Sequence, residues 1–343
     1  MSANNMPKVL HLNVTVTQII LIKISSWTWY KYSTCFQNIH FYFIVKLMLS
    51  SIFSALIIAT NSMYLSFNYR YLSTASLHYL SSRQALADIA NFRTEIAKKR
   101  GLSKNKWVTF GNSYGGSLAV WSRIKHPNLF AAAVGSSAPI QAKLNFYEYN
   151  GVIGRILSAH NSECPKAVKE AFAILVQMLK RRKHYSKVEK DFMLREPIKI
   201  NSPKDTAFLT VHMIHLVHFF VHKQINKFIK RQWFYQCCTA FGFFKTTDSK
   251  NKPFSGTPLR HGFHLCSDVF GPEFSSDLVA QSVKTTNKYY GGFNVNGSKI
   301  IFSNGSNDPW HHLGITMDIS KDLPSVFIKD FQKFAVIQNF YIE

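Results

Sequence analysis

Ser113 stands between two glycines in the run Gly111-Asn112-Ser113-Tyr114-Gly115. Glycines two before and two after a serine let the backbone reverse sharply enough to lift the hydroxyl out of a sheet, where it can attack a carbonyl carbon. The pattern has meaning only between a strand and a helix, and both flanks fit. Trp107-Val108-Thr109-Phe110 is a short β-branched and aromatic run, a strand signal. From Gly116 onward Leu118, Ala119, Trp121 and Ser122 keep helical spacing. With Ser113 as nucleophile, the backbone N–H of Tyr114 would face the developing oxyanion. The acid of such a site lies downstream, in a loop after a late strand. Asp308 holds that place, in the loop Ser303 to Trp310 after Lys299-Ile300-Ile301-Phe302. The plainer readings are an incidental serine in a Gly-rich loop and a turn aspartate before Pro309.

A serine hydroxyl needs a base within hydrogen-bond reach, and no histidine follows His312. His311 and His312 lie three and four positions after Asp308 in the same loop, whereas base and acid normally come from separate segments. Lys333 could pair with Ser113 only if strong desolvation lowered its pKa. The chain as written is therefore expected to hydrolyse poorly or not at all.

Around these residues the order of elements implies a parallel α/β sheet. Ser81-Ser82-Arg83-Gln84 carries a capping-box pattern, and Ala85, Ile89, Phe92 and Ile96 follow at helical spacing up to Lys98-Lys99-Arg100 and the stop at Gly101. The elbow strand and helix come next, and Leu129 to Val134 reads as the following strand. Strand, helix, strand in this order is a right-handed βαβ unit. Strand signals then fade, and residues 145–245 read as a helical insertion, with Val168, Ala171, Phe172, Leu175, Val176 and Leu179 on one face. The expected division is a core of 68–144 and 246–343 around that cap, with residues 1–67 outside it. Within the insertion, His212, His215, His218 and His222 fall at three- and four-residue steps. No Asp, Glu or Cys between Val211 and Lys223 completes a zinc set, so packing or partner contact is the plainer role. No metal or other cofactor is expected.

Leu47 to Phe67 runs 21 residues without a charge, long enough to span a bilayer as a lone helix or signal anchor. Five serines, Thr60 and Asn61 weaken that reading. Lys and Arg number 41 against 18 Asp and Glu, a net charge of +23, which raises nucleic acid or an anionic membrane as partners. The basic residues are scattered apart from Lys180 to Lys183 and Lys223 to Arg231, and no nucleic-acid motif accompanies them. Solvated basic faces are the plainer reading, and no nucleic-acid partner is expected. Five cysteines without a C-x-x-C pair fit one or two disulfides in an oxidising compartment. Sequons at Asn13, Asn296 and Asn304 are compatible with secretion.

GNSYGGSLAVWSRIKHPNLFAAAVGSSAPI and NGSNDPWHHLG, with YLSSRQALADIANF, RQWFYQCCTAFGFF and CSDVFGPEF, resemble segments of the prolyl serine exopeptidases. That group contains lysosomal Pro-X carboxypeptidase, dipeptidyl peptidase II and thymus-specific serine protease. The resemblance covers about Leu72 to Lys329. It implies an α/β-hydrolase core with a helical cap, and cleavage next to proline near a peptide end in lysosomes or outside the cell. It implies Ser113 as nucleophile, the Tyr114 N–H in the oxyanion hole, and Asp308 as the orienting acid. Cys238 and Cys266 match family cysteines and are the disulfide it suggests. Peptides with proline near one end are the implied partners, and a homodimer is compatible with the pattern.

Three departures stand out. Asn68-Tyr69-Arg70 is at most a remnant of an earlier family segment, so the first strands are expected to be incomplete. Ala240 stands where the family carries Glu. The family histidine, in a GTAHC segment, is replaced by the stretch Asp330-Phe331-Gln332-Lys333. Two further readings follow: a non-catalytic homologue that binds peptides or a partner, and an esterase or lipase on the same fold.

Overall fold

The computed structural model describes residues 54–56, 73–160, 162–191, 197–198, 227–249 and 253–330. Its strands are β1 (Ser54–Leu56), β2 (Trp107–Asn112), β3 (Ala132–Ser136), β4 (Lys143–Asn145), β5 (Gly242–Phe244), β6 (Ile300–Gly305) and β7 (Ser325–Ile328). Its helices are α1 (Ser82–Lys99), α2 (Tyr114–Lys125), α3 (Glu148–His160), α4 (Glu163–Leu179), α5 (Tyr185–Asp191), α6 (Lys227–Gln236), α7 (Leu259–Phe270) and α8 (Ser276–Tyr290).

Among the described residues five strands form one sheet in the order β1-β2-β3-β6-β7, every pair parallel. Parallel strands need long crossovers that lay helices on the sheet. The helix from β2 to β3 is the innermost, and every residue of α2 from Tyr114 to Ser122 is buried. A helix enclosed on all sides needs no polar stripe, which explains why α2 shows so little amphipathicity. Trp121 of α2 stacks on Tyr290 of α8 at 3.9 Å, and the Tyr290 hydroxyl donates to Ser82 Oγ of α1 at 2.9 Å. Three helices separated in sequence are thus joined in one layer.

α1 begins at Ser81, whose hydroxyl accepts from the Gln84 N–H at 3.2 Å. The Ser81 N–H donates to the Tyr79 carbonyl at 3.0 Å, and the Gln84 side-chain amide donates to Asp88 Oδ1 at 2.9 Å. The strand expected at Leu129–Val134 starts later, at Ala132. Leu129 and Phe130 are instead held in a turn, both N–H groups donating to the His126 carbonyl. Cys238 and Cys266 form a disulfide between the end of the α6 segment and α7, as the resemblance implies. Cys237 is a buried free thiol, pushed up to about 12 by burial.

The apolar segment differs from its expectation. Ser54, Ala55 and Leu56 are not helical but extended, paired with Trp107, Val108 and Thr109. An uncharged apolar run suits a strand covered on both faces as well as it suits a helix. The sheet therefore reaches into the segment expected to lie outside the core. The rest of residues 1–67 falls outside the described residues, as do Asn68-Tyr69-Arg70 and the histidine-bearing stretch Val211–Lys223. No helix among the described residues is long and apolar enough to cross a membrane.

The helical block expected over 145–245 divides in two. β4 and β5 pair in parallel where the chain enters and leaves it. Phe172, Leu175 and Leu179 of α4 pack with Val188, Ile198 and Phe254 in a small separate core. Tyr235, Cys237, Cys238 and Phe241, by contrast, belong to the main core with Trp107, Trp121 and Phe302.

His261, near the start of α7, is 4% exposed, and neither ring nitrogen has a hydrogen-bond partner among the described residues. Burial pushes its pKa down to about 4, with His264 adding to the effect and Asp268 opposing it. The unfolded chain, with this histidine near 6.5, binds the proton more readily than the fold does. Its stabilisation is complete above about pH 6.5 and is lost as pH falls toward 4, by about 3 kcal/mol at most. Urea midpoints measured across that window are expected to fall with pH, and His261→Leu is expected to flatten the slope.

Candidate active site

Ser113 joins β2 to α2 with φ +58° and ψ −133°, a conformation that non-glycine residues rarely adopt. Its N–H donates to the Ser136 carbonyl at 2.9 Å, and its carbonyl accepts from the Ser117 N–H at 3.1 Å. The bend brings the end of β2 against the start of α2. A Cβ on Gly111 would stand 2.0 Å from the Gly115 carbonyl oxygen, and one on Gly116 would stand 2.9 Å from the Ala138 Cβ. The glycines are therefore steric requirements of the crossing.

Tyr114 is the first residue of α2, so no carbonyl one turn behind it can accept its N–H. The helix N-terminus favours negative charge at that point. Its side chain faces the other way: the hydroxyl donates to Gln236 Oε1 at 2.8 Å, and burial raises the phenol well above its usual pKa. The ring packs on Phe241 at 5.5 Å, Phe241 on Phe243 at 5.4 Å, and Phe243 on Trp310 at 5.2 Å. This aromatic seam runs from the residue after Ser113 to the second residue after Asp308.

Asn112 pairs with Ser136, and Ser136 pairs with Ser303. The turn after β2 and the loop after β6 therefore leave the same edge of the sheet, two strand spacings or about 10 Å apart. Asp308 is fully buried and caps the 3₁₀ turn Pro309–Leu313, one carboxylate oxygen accepting from the Trp310 N–H at 3.0 Å. Its other oxygen, Oδ2, has no hydrogen-bond partner among the described residues. A donor placed there would be oriented by the carboxylate, as an imidazole is in a triad.

β7 ends beside this loop. The Ser306 N–H donates to the Ile328 carbonyl at 2.9 Å, and the Asp330 N–H to Ser306 Oγ at 2.8 Å. Lys333 lies outside the described residues. His311 does not address the carboxylate: its Nδ1 lies 2.7 Å from the Asp308 backbone carbonyl, and its ring meets His312 at 4.1 Å and Phe327 at 5.3 Å. Burial lowers the pKa of both histidines, that of His312 to about 4, with neighbouring His311 and Arg155 adding to the effect there.

The fold thus brings Ser113, the Tyr114 N–H and Asp308 to one sheet edge. Sequence reading missed Gln236, which holds Tyr114 across 122 residues, and the seam through Phe241 and Phe243. Their only sequence signal is an aromatic-rich stretch, which does not reveal its partner.

The profile of the family described as Serine carboxypeptidase S28 matches residues 65–228 and 209–335. The chain is 31% identical to thymus-specific serine protease of Homo sapiens, over 75% of this chain and 63% of that protein. It is 24% identical to lysosomal Pro-X carboxypeptidase of Mus musculus, over 74% of this chain and 63% of that protein. It therefore spans less than two thirds of the length of these relatives.

Gly111→Ala is expected to force the elbow open against backbone that cannot yield, lowering the unfolding free energy by more than about 2 kcal/mol. Gly151→Ala, inside α3 with nothing within 4 Å of the new Cβ, is expected to gain up to about 1 kcal/mol from helix propensity. Urea denaturation of both variants measures the contrast.

Proposed function

The chain belongs to the serine carboxypeptidase S28 family, serine peptidases on an α/β-hydrolase fold, and from that premise we propose cleavage next to proline near a peptide end. Ser113 is the proposed nucleophile, the Tyr114 N–H an oxyanion donor, and Asp308 the acid that orients the base. The observation that carries this reading is the strained elbow at Ser113 together with the buried carboxylate of Asp308 at the same sheet edge. In the reaction Ser113 Oγ bonds to the peptide carbonyl carbon while its proton passes to a base. The leaving amine takes that proton as its bond breaks, and water then releases the acyl group.

The base is the weak part. Asp330-Phe331-Gln332-Lys333 carries no imidazole, and His311 turns toward a backbone carbonyl. We therefore propose turnover several orders of magnitude below that of a complete triad. The same observation supports the second reading, a peptide-binding homologue without catalysis. The test is turnover of a Xaa-Pro amide by the chain and by a version carrying GTAHC after Lys329. The repaired chain is expected to be faster by three orders of magnitude or more, roughly the worth of a triad member, and Ser113→Ala is expected to abolish the gain. Equal rates would show that the base lies elsewhere.

A lysosomal or secreted site is proposed on the lysosomal relative and the Cys238–Cys266 disulfide. The two sequons in the body of the chain then differ. Asn296 is exposed in the loop before β6. Asn304 is 3% exposed inside β6, and its amide donates to the Ile315 carbonyl at 2.7 Å. In chain secreted from eukaryotic cells, mass spectrometry is expected to find glycan on the Asn296 peptide and none on the Asn304 peptide.

A further inference from the structure

Lys180-Arg181-Arg182-Lys183 follow α4 without a break, and His184 ends the short 3₁₀ turn Arg182–His184 that leads into α5. One or two cations at this point complete the carbonyl end of the helix and require no partner. Four in succession, all exposed and none in an ion pair among the described residues, exceed that role.

The same corner exposes apolar surface. Ala173, Ile174, Gln177 and Met178 of α4, with Arg181 and His184, line an open depression of about 510 Å³. Ile174 is 60% exposed, although Phe172 and Leu175 beside it are buried in the small core. Ile174 and Gln177 lie three residues apart on one helix face, and Arg181, in extended backbone two residues past the helix end, lines the same depression. Glu170, one turn before Ile174, and Glu163, three turns before it and paired with Lys166, are the acids on that face.

Cations beside an exposed isoleucine and a half-buried methionine match a surface that offers both anionic groups and an apolar layer. A soluble polyanion supplies the charge alone, and an apolar protein groove supplies only the second. We propose that the corner formed by the C-terminal half of α4 and the turn Arg182–His184 docks on an anionic lipid surface. The four basic side chains meet headgroup phosphates, and Ile174 with Met178 enters the boundary between headgroup and acyl chain. This inference stands apart from the catalytic reading.

The test is co-sedimentation of the full chain with phosphatidylcholine vesicles, with and without phosphatidylserine. Binding is expected only with phosphatidylserine. It is expected to fall about five-fold for each basic side chain lost in Arg181→Gln and Arg182→Gln, and to fall again in Ile174→Asn with every cation intact. All three positions lie on the surface, so the variants should keep the parental melting temperature, and Lys180→Gln/Lys183→Gln gives an independent pair. Equal binding to both kinds of vesicle would overturn the proposal. Binding that heparin displaces and Ile174→Asn leaves unchanged would overturn it in favour of a soluble polyanion.

Discussion

At Gly111 there is no room for a methyl group. The backbone that turns at Ser113 returns so close that a Cβ there would overlap the Gly115 carbonyl, and much of the architecture follows from that crossing. It sets α2 directly against β2 and β3, in the middle of the sheet, which is why α2 is enclosed and largely apolar. A second close approach extends the constraint outward: a Cβ on Gly135 of β3 would stand 2.6 Å from Val120 of α2. The helix is thus held against two neighbouring strands by missing side chains. Strain at Ser113 costs of order 1–3 kcal/mol, and a surround this tightly packed gives it no route to relax.

The elbow and the Asp308 loop reach the same edge by separate means. Pairing of β2, β3 and β6 sets their spacing, and the aromatic seam from Tyr114 to Trp310 closes the gap beneath them. The seam is made of residues that return from the helical block through α6 and β5. The disulfide to α7 and the β4–β5 pair hold that return in place. Residues 233–244 fall in a stretch that is helical by pattern, yet they are part of the core by packing. They couple the helical block to the site and are not an appendage to it.

Much of this was legible in sequence because it depends on local sterics. Two glycines flanking a serine, a β-branched run before it and a helical period after it are each consequences of short-range geometry, and the structure has the turn, strand and helix they imply. Ser81 as a helix cap is local in the same sense. β1 was misread because three residues of an apolar run have no period of their own, and only Trp107 to Thr109 across the sheet make them a strand. Gln236 and Tyr114 meet across 122 residues, and nothing in either neighbourhood announces the other. The sequon at Asn304 was legible as a motif, but its burial in β6 was not.

Asp308 shows why burial and hydrogen bonding must be weighed together. Capping the 3₁₀ turn needs one acceptor oxygen, and that oxygen is used on the Trp310 N–H. Asn or Ser would cap such a turn nearly as well without taking a carboxylate out of water. A carboxyl group at full burial therefore exceeds what the turn requires, and its Oδ2 is left without a donor by the described residues. A buried carboxylate oxygen is costly unless something cationic or proton-donating shares it. The plainer reading, an aspartate before a proline in a turn, accounts for Oδ1 and leaves Oδ2 unexplained. A role in orienting a base accounts for both oxygens, for the burial, and for the placement two strands from Ser113.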